Sequence, residues 1–303
     1  MIVLDLATNR VRLADKDVPQ VAGNQLLIAV HAAGVIRSEL QWYPTTHTKD
    51  GRPRSNAVVG HEFSGVVHAV GSGVKEFQVN DSVYGMNDWF DDGATAEYCI
   101  SVPEWIAMKP QSLFHEEAAT VPISALTAWQ GLYERAKVQP GERVLVHGGA
   151  GSVGAYAVQL AALRGARVTV TALPTQADYV KSLGAEQIVD YRSDPFQVLP
   201  QDFDIVFDTI GGSILKRSWS LLGPAGRMVT IASSEEGQQD ERTKDAFFIV
   251  RPDHAQLDEI ATLIDGGALK ATVAAIVPLR DAPSAYDAAR SFGHGKVAIS
   301  VRQ

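Results

Sequence analysis

The sequence predicts an α/β protein in which a doubly wound parallel sheet is accompanied by an antiparallel, barrel-like β domain. Three observations carry that expectation. Up to about residue 118 the chain reads as short β segments cut by Gly, Pro and Asp. Beyond Pro140-Gly141, apolar runs alternate with helical stretches. A glycine-rich turn, Gly149 to Gly154, stands between the first of those runs and its helix.

In the first part, Leu26 to Val30, Ser64 to Val70 and Ala96 to Val102 read as strands, punctuated by Gly71-Ser72-Gly73 and Asn80-Asp81. From Glu116 to Ala136 the spacing is helical, with a break at Pro122. Val144 to His147, Val168 to Ala172, Ile205 to Phe207, Met228 to Ala232 and Phe247 to Val250 are apolar runs of buried-strand length. Between them, 154–164, 175–183 and 213–222 have helical spacing, and Gly165 and Gly184 stand where C-caps belong. After Pro252 the pattern is mixed: a helix from Gln256 to Ile264 ended by Gly266-Gly267, a short helix from Ala285 to Ser291, and a closing strand from Val297 to Val301. The expected domains are therefore 1–118, 119–252 and 253–303.

Bulk properties agree with a globular protein of about two domains, since 303 residues exceed what one core usually organises. The net charge of −8 is spread along the chain without a basic block, which argues against nucleic acid or an anionic membrane as partner. No apolar stretch reaches the length of a membrane span, and the start MIVLDLATNR does not read as a signal peptide. Cys99 is the single cysteine, so neither an intrachain disulfide nor a cysteine-built structural zinc site can form. A cytoplasmic location is the expectation.

Gly149, Gly151 and Gly154 have the G-x-G-x-x-G spacing. With 26 glycines in the chain, chance supplies that spacing roughly 0.2 times per sequence, so the context decides. The motif follows a strand, opens an amphipathic helix and leads to a second strand, as dinucleotide binding requires. Gly149 is expected to make the tight turn, Gly151 to let pyrophosphate approach the backbone, and Gly154 to let helix and strand pack closely. The loop Gly149, Ala150, Gly151, Ser152, Val153 and Gly154 would then offer helix N-terminal amides to phosphate. The second strand ends at Thr171, Ala172 and Leu173, with no acid to bind a ribose 2′-hydroxyl. That favours NADP(H) over NAD(H). Thr175, Gln176 and Tyr191 are the nearest candidates to hold a 2′-phosphate, with Lys181 and Arg192 further along the chain.

Several segments taken together resemble the medium-chain dehydrogenase/reductase superfamily, and in particular its zinc-independent quinone oxidoreductase branch. They are GHEFSGVVHAVGSGVKEFQVNDSVYG at 60–85, GATAEYCI at 93–100, AATVPISALTAWQGL at 118–132, VLVHGGAGSVG at 144–154, FDIVFDTIGG at 203–212 and GKVAISV at 295–301. The resemblance implies a GroES-like β-barrel catalytic domain made from both chain ends around a Rossmann domain, with the active site in the cleft between them. It implies that Thr127 contacts the cofactor near the nicotinamide and that backbone near Ala232 and Val250 reads the nicotinamide amide. It also implies a homodimer formed through the last Rossmann strand, near Phe247 to Val250.

Zinc-dependent relatives of this superfamily use a Cys, a His–Glu pair and a second Cys. Here GVIRSEL at 34–40 places Ile36 at the first cysteine, His61 and Glu62 stand in GHE, and VPISAL at 121–126 offers no thiol. A catalytic zinc needs about three protein ligands, so no metal is expected. His61 is then a structural group or a re-used polar one, and Ser38 stands where relatives keep a proton-relay hydroxyl. Arg37 could face a pyrophosphate or Glu39. Trp42, Tyr43, Trp89 and Phe90 are candidate walls for a flat, apolar substrate. The leading function is an NADPH-dependent reductase of quinones or α,β-unsaturated carbonyls, with Ser38 and His61 as candidate proton donors. A zinc-assisted alcohol or aldehyde dehydrogenase and a non-catalytic NADPH-binding redox sensor are the alternatives.

Overall fold

The computed structural model describes residues 1–232, 241–287 and 293–302. They form two compact units, one of Met1–Ile123 with Arg251–Gln303, the other Ser124–Val250. The junctions fall five and two residues from the expected 118 and 252.

The second unit holds the parallel sheet. In the first unit, strands β1 (Ile2–Asp5), β2 (Arg10–Leu13), β3 (Leu26–Gly34), β4 (Glu62–Val70), β5 (Ser82–Met86), β6 (Tyr98–Ser101) and β7 (Ile106–Met108) precede it in the chain. The sheet itself comprises β8 (Arg143–His147), β9 (Arg167–Ala172), β10 (Gln187–Asp190), β11 (Phe203–Asp208) and β12 (Leu222–Thr230), in the order β10-β9-β8-β11-β12, all parallel. The order reverses beside β8, which places a topological switch point at its C-terminal end, where open α/β sheets bind ligands. β8 and β11 are almost wholly buried, because helices cover both faces and leave no side for polar residues. Leu145, Phe203, Val206, Leu215, Leu221 and Met228 make its core.

In the first unit a two-stranded ribbon, β1-β2, accompanies a seven-stranded sheet completed by β13 (Val273–Pro278) and β14 (Lys296–Ser300). Its order is β13-β14-β3-β4-β5-β7, with β6 also on β3. Apart from the parallel pair β13–β14 the ladders are antiparallel. Leu26, Ile28, Val30, Phe63, Val67, Val83 and Ile106 pack on the inner side.

Three expected elements are different in the structure. Phe247 to Val250 is not a strand: it makes one isolated parallel bridge, Thr230 to Phe247. The short helix expected over Ala285 to Ser291 lies partly outside the described residues, and Ala285 to Asp287 follow a 3-10 turn, Leu279–Ser284, without helical structure. Met228 to Ala232 ends as a strand at Thr230. Strands β1, β2, β5, β7, β10 and β13 are not among the expected elements; β2 and β10 are too exposed to show a clean apolar alternation.

Two stability predictions follow from this packing. A Cβ on Gly154 would lie 2.2 Å from the Gly148 carbonyl oxygen, a backbone atom that cannot rotate away. Gly154→Ala should therefore cost about 1–3 kcal/mol in denaturant unfolding. In the first unit His115 stacks on His31, ring centroids 4.4 Å apart, and its Nδ1 lies 2.8 Å from Ser64 Oγ. Burial, then the neighbouring His31 and Lys109, push His115 down to about 4. The neutral ring is favoured by folding, so stability is lost as pH falls from about 6.5 toward 4. Urea unfolding at pH 7 and 4.5 should show a smaller loss for His115→Asn than for the wild-type chain; equal losses would refute it.

Candidate active site

The glycine-rich turn sits at the C-terminal edge of the parallel sheet, between β8 and the helix Ser152–Leu163. The helix begins because Gly151, extended at φ −77° and ψ 171°, releases the chain from the turn, and its carbonyl accepts from Ala155 N at 2.9 Å. The amides of Ser152, Val153 and Gly154 form the first helical turn and have no intrahelical acceptor by construction. The glycine roles are partly redistributed. The left-handed turn residue is Gly148, at φ +74°, rather than Gly149. Gly149 is needed for packing, since a Cβ there would meet Val170 Cγ1 at 2.3 Å. Gly154 keeps the close helix–strand contact expected of it. At Gly151 an added Cβ would meet only the Gly148 oxygen, at 3.2 Å, and the residue is exposed. The backbone is thus bare where a phosphate would approach. This cradle fits a dinucleotide pyrophosphate held by helix N-terminal amides.

Around it the strand ends are tied by polar side chains. His147, closing β8, lies with Nδ1 3.1 Å from Thr171 Oγ1 and Nε2 2.9 Å from Ser218 Oγ. Asp208, closing β11, accepts from Gly211 N, Ile210 N and Thr230 Oγ1, the last at 2.8 Å. Ala232 N donates in turn to Thr230 Oγ1 at 3.2 Å. Burial, partly offset by these donors, pushes the Asp208 carboxyl up. Ala232 therefore leaves β12 in a set direction, beside Gly211. Sequence reasoning passed over His147, Thr171, Asp208, Thr230 and Ser218. For all but Ser218, which ends the helix Gly212–Ser218, the available signal was a polar residue at or next to the end of an apolar strand.

At the far side of the sheet Ala172 is buried at the end of β9, and Asp190 pairs with it in register from β10. An acid does stand at this corner, on the neighbouring strand rather than the one the motif points to. It is engaged: Arg192 Nη2 lies 2.8 Å from Asp190 Oδ2, and Arg192 N and Nε also donate to the carboxylate. Arg192 holds the Asp190 carboxyl below its usual range. Thr175 and Tyr191 are exposed next to this pair in the chain, while Gln176 turns back to accept from Leu173 N. Thr127, in the helix Pro122–Trp129, and Val250 are buried.

In the first unit, Ser38 is exposed on the 3-10 turn Arg37–Gln41, next in the chain to the buried Glu39. Glu39 Oε2 lies 2.8 Å from His61 Nδ1, and Glu39 Oε1 accepts from Gly60 N at 2.7 Å. His61 is fully buried, with Nε2 3.2 Å from the Asp91 carbonyl and its ring 5.1 Å from Trp89. Trp42 and Trp89 meet edge to face at 4.8 Å. Tyr43 instead stacks on His47, and Phe90 lies under Lys49. Arg37 Nε donates to the Ala285 carbonyl at 2.9 Å.

The donor set does not fit a catalytic zinc. Ile36 has no donor atom, and both nitrogens of His61 face acceptors. The buried Glu62 carboxylate is engaged by Lys296 Nζ and by Ile123 N. Cys99 lies in the core of the seven-stranded sheet, where burial pushes its thiol up. Among the described residues no three His, Cys, Asp or Glu side chains gather to hold a metal ion.

Comparison with known proteins agrees with this architecture. An alcohol dehydrogenase GroES-like domain model matches residues 22–111, and a zinc-binding dehydrogenase model matches 183–299. The NAD(P)H oxidoreductase RTN4IP1 of Danio rerio is 26% identical, over 92% of this chain and 84% of its own length. The 2-methylene-furan-3-one reductase of Solanum lycopersicum is 32% identical over 72% of this chain, which spans 61% of that relative. The quinone oxidoreductase from Coxiella burnetii superposes with a TM-score of 0.87 at 29% identity, over 96% of this chain and 95% of that one. The chain belongs to the medium-chain dehydrogenase/reductase superfamily.

Proposed function

We propose that this protein is an NADPH-dependent oxidoreductase that reduces quinones or α,β-unsaturated carbonyl compounds without a metal. The observation that carries the reading is the bare glycine cradle at Gly151, opening on the first turn of the helix Ser152–Leu163 at the sheet's switch point. The names of the tomato and Coxiella proteins support the substrate class.

The cofactor, when bound, supplies the hydride. The chain's own contribution is to bind and orient. Amides of Ser152, Val153 and Gly154 would hold the pyrophosphate, and backbone at Ala232 and Val250 would meet the nicotinamide amide, with Thr127 beside it. NADP over NAD is supported by the apolar end of β9 at Ala172 and by the Asp190–Arg192 pair. With its charge matched by Arg192, Asp190 repels a 2′-phosphate less than an unpaired acid would. Tyr191 and Thr175 are exposed beside that corner. Trp42, packed edge to face on Trp89, would offer an apolar surface to a flat substrate, and holding two rings face to face is the main demand of hydride transfer. Ser38 offers an exposed hydroxyl for the proton that must follow. His61, closed in between Glu39 and the Asp91 carbonyl, serves chiefly to fix Trp89. A cytoplasmic homodimer completes the reading, with exposed Ile249 in the segment near Phe247 to Val250 available for a partner copy.

Oxidation of NADPH should accelerate with a panel of quinones and enones, at rates unchanged by a strong chelator. Loss of turnover on chelation, restored by zinc, would favour the alcohol dehydrogenase alternative. Tight NADPH binding with no acceleration by any quinone, enone or aldehyde would favour the sensor. Gly151→Val should weaken NADPH binding roughly 100-fold with little change in melting temperature, because only the ligand side of Gly151 is open. NADPH titration of a folded variant with unchanged affinity would refute the assignment of the loop.

A further inference from the structure

His147 closes β8 one residue before the glycine turn, and nothing in the binding chemistry above uses it. Its ring is nine-tenths or more buried, as are Thr171 and Ser218, the hydroxyls it meets. The direction of each hydrogen bond can be assigned from its neighbours. Ser218 Oγ donates its proton to the Ile214 carbonyl at 2.6 Å, so it can only accept from His147, at Nε2. His147 Nδ1 is then the bare nitrogen and accepts from the Thr171 hydroxyl at 3.1 Å. The Thr171 oxygen, having donated, accepts from Gly148 N at 3.2 Å. The opposite tautomer would leave Nε2 facing a hydroxyl whose proton is already committed.

We propose that His147, held as the Nε2–H tautomer, is the positioning residue of the phosphate loop, fixing Gly148 through the Thr171 hydroxyl and anchoring that chain on Ser218. This rests on the dinucleotide reading of the loop. The chain of bonds runs from Gly148 N–H to Thr171, to the imidazole, to Ser218 and to the Ile214 carbonyl, so it joins the loop to β9 and to the helix Gly212–Ser218. Thr209 Oγ1 adds a second tie, donating to the His147 carbonyl at 2.8 Å. Gly148 is the residue whose left-handed φ of +74° sets the direction of the turn. Its carbonyl is also the atom on which Gly154 packs and to which Gly151 N donates at 2.9 Å. Shifting Gly148 therefore shifts the amides that face the pyrophosphate. Burial pushes the His147 imidazole down to about 4, so the neutral ring persists at physiological pH.

The test uses the full-length protein and NADPH itself. Imidazole ¹⁵N spectra at pH 7, with the His147 signals assigned, should show a protonated Nε2 and an unprotonated Nδ1. Thr171→Val, which replaces one oxygen by a methyl group of similar size, should raise the NADPH Kd about tenfold or more. Thr171→Ser, which restores the hydroxyl, should bring it back to within about threefold of the wild-type value. An Nδ1–H or doubly protonated ring would overturn the proposal, as would a folded Thr171→Val protein that binds NADPH like the wild type. A wild-type protein that binds neither NADPH nor NADH would instead overturn the dinucleotide reading, and this proposal with it. The wild-type titration thus separates the two failures.

Discussion

The contact of Gly154 against the Gly148 carbonyl is the constraint on which the second unit's chemistry depends. It brings the helix Ser152–Leu163 down onto the end of β8 to a distance that no side chain allows. The helix N-terminus then points its unpaired amides at the sheet's switch point. Around that contact the polar strand ends act as ties. Thr171 carries Gly148, and Thr230 carries Ala232. Each hydroxyl takes a backbone N–H on one side and gives its proton to a buried group, His147 or Asp208, on the other. A loop held in this way would meet a ligand without first having to be ordered, which would remove a cost from binding.

The first unit shows a different economy, in which two buried acids are each matched by a buried cation or polar donor set. Glu39 is met by His61 and Gly60 N, and Glu62 by Lys296 and Ile123 N. Burial of such groups is costly unless every one is paired. Here each acid ties loop to strand: Glu39 holds the turn Arg37–Gln41 to β4's approach, and Glu62 reaches from β4 to β14 near the other end of the chain. The side chains that metal-binding relatives would turn toward an ion are directed at protein partners instead. The same network leaves His61 packed on Trp89.

Much of the parallel unit was legible because its signals are local. A buried strand is an apolar run, a helix shows its period, and the glycine spacing has meaning once a strand precedes it and a helix follows. The weaker elements were missed for physical reasons. β10 has only half-buried and exposed residues, and β2 is a surface strand with arginines at alternate positions. Phe247 to Val250 has the composition of a strand but only one bridge to β12, because composition does not provide a ladder partner. The tight-turn role went to Gly148 rather than Gly149, since consecutive glycines look alike until backbone angles separate them.

What the sequence by itself determined is the class of molecule: an α/β protein with a glycine-rich strand–turn–helix motif, without the thiols of a zinc site, and with an apolar end to the strand after that motif. Those properties reside in residue identity and short spacing. Only the tertiary structure decided which polar groups meet. Asp190 comes beside Ala172 because two strands pair in parallel register, and Arg192 then matches its charge. Lys296 finds Glu62 across more than two hundred residues, and His147 finds Ser218 from the next layer. Such pairings depend on chain crossovers that bring distant residues together, and no local pattern encodes them.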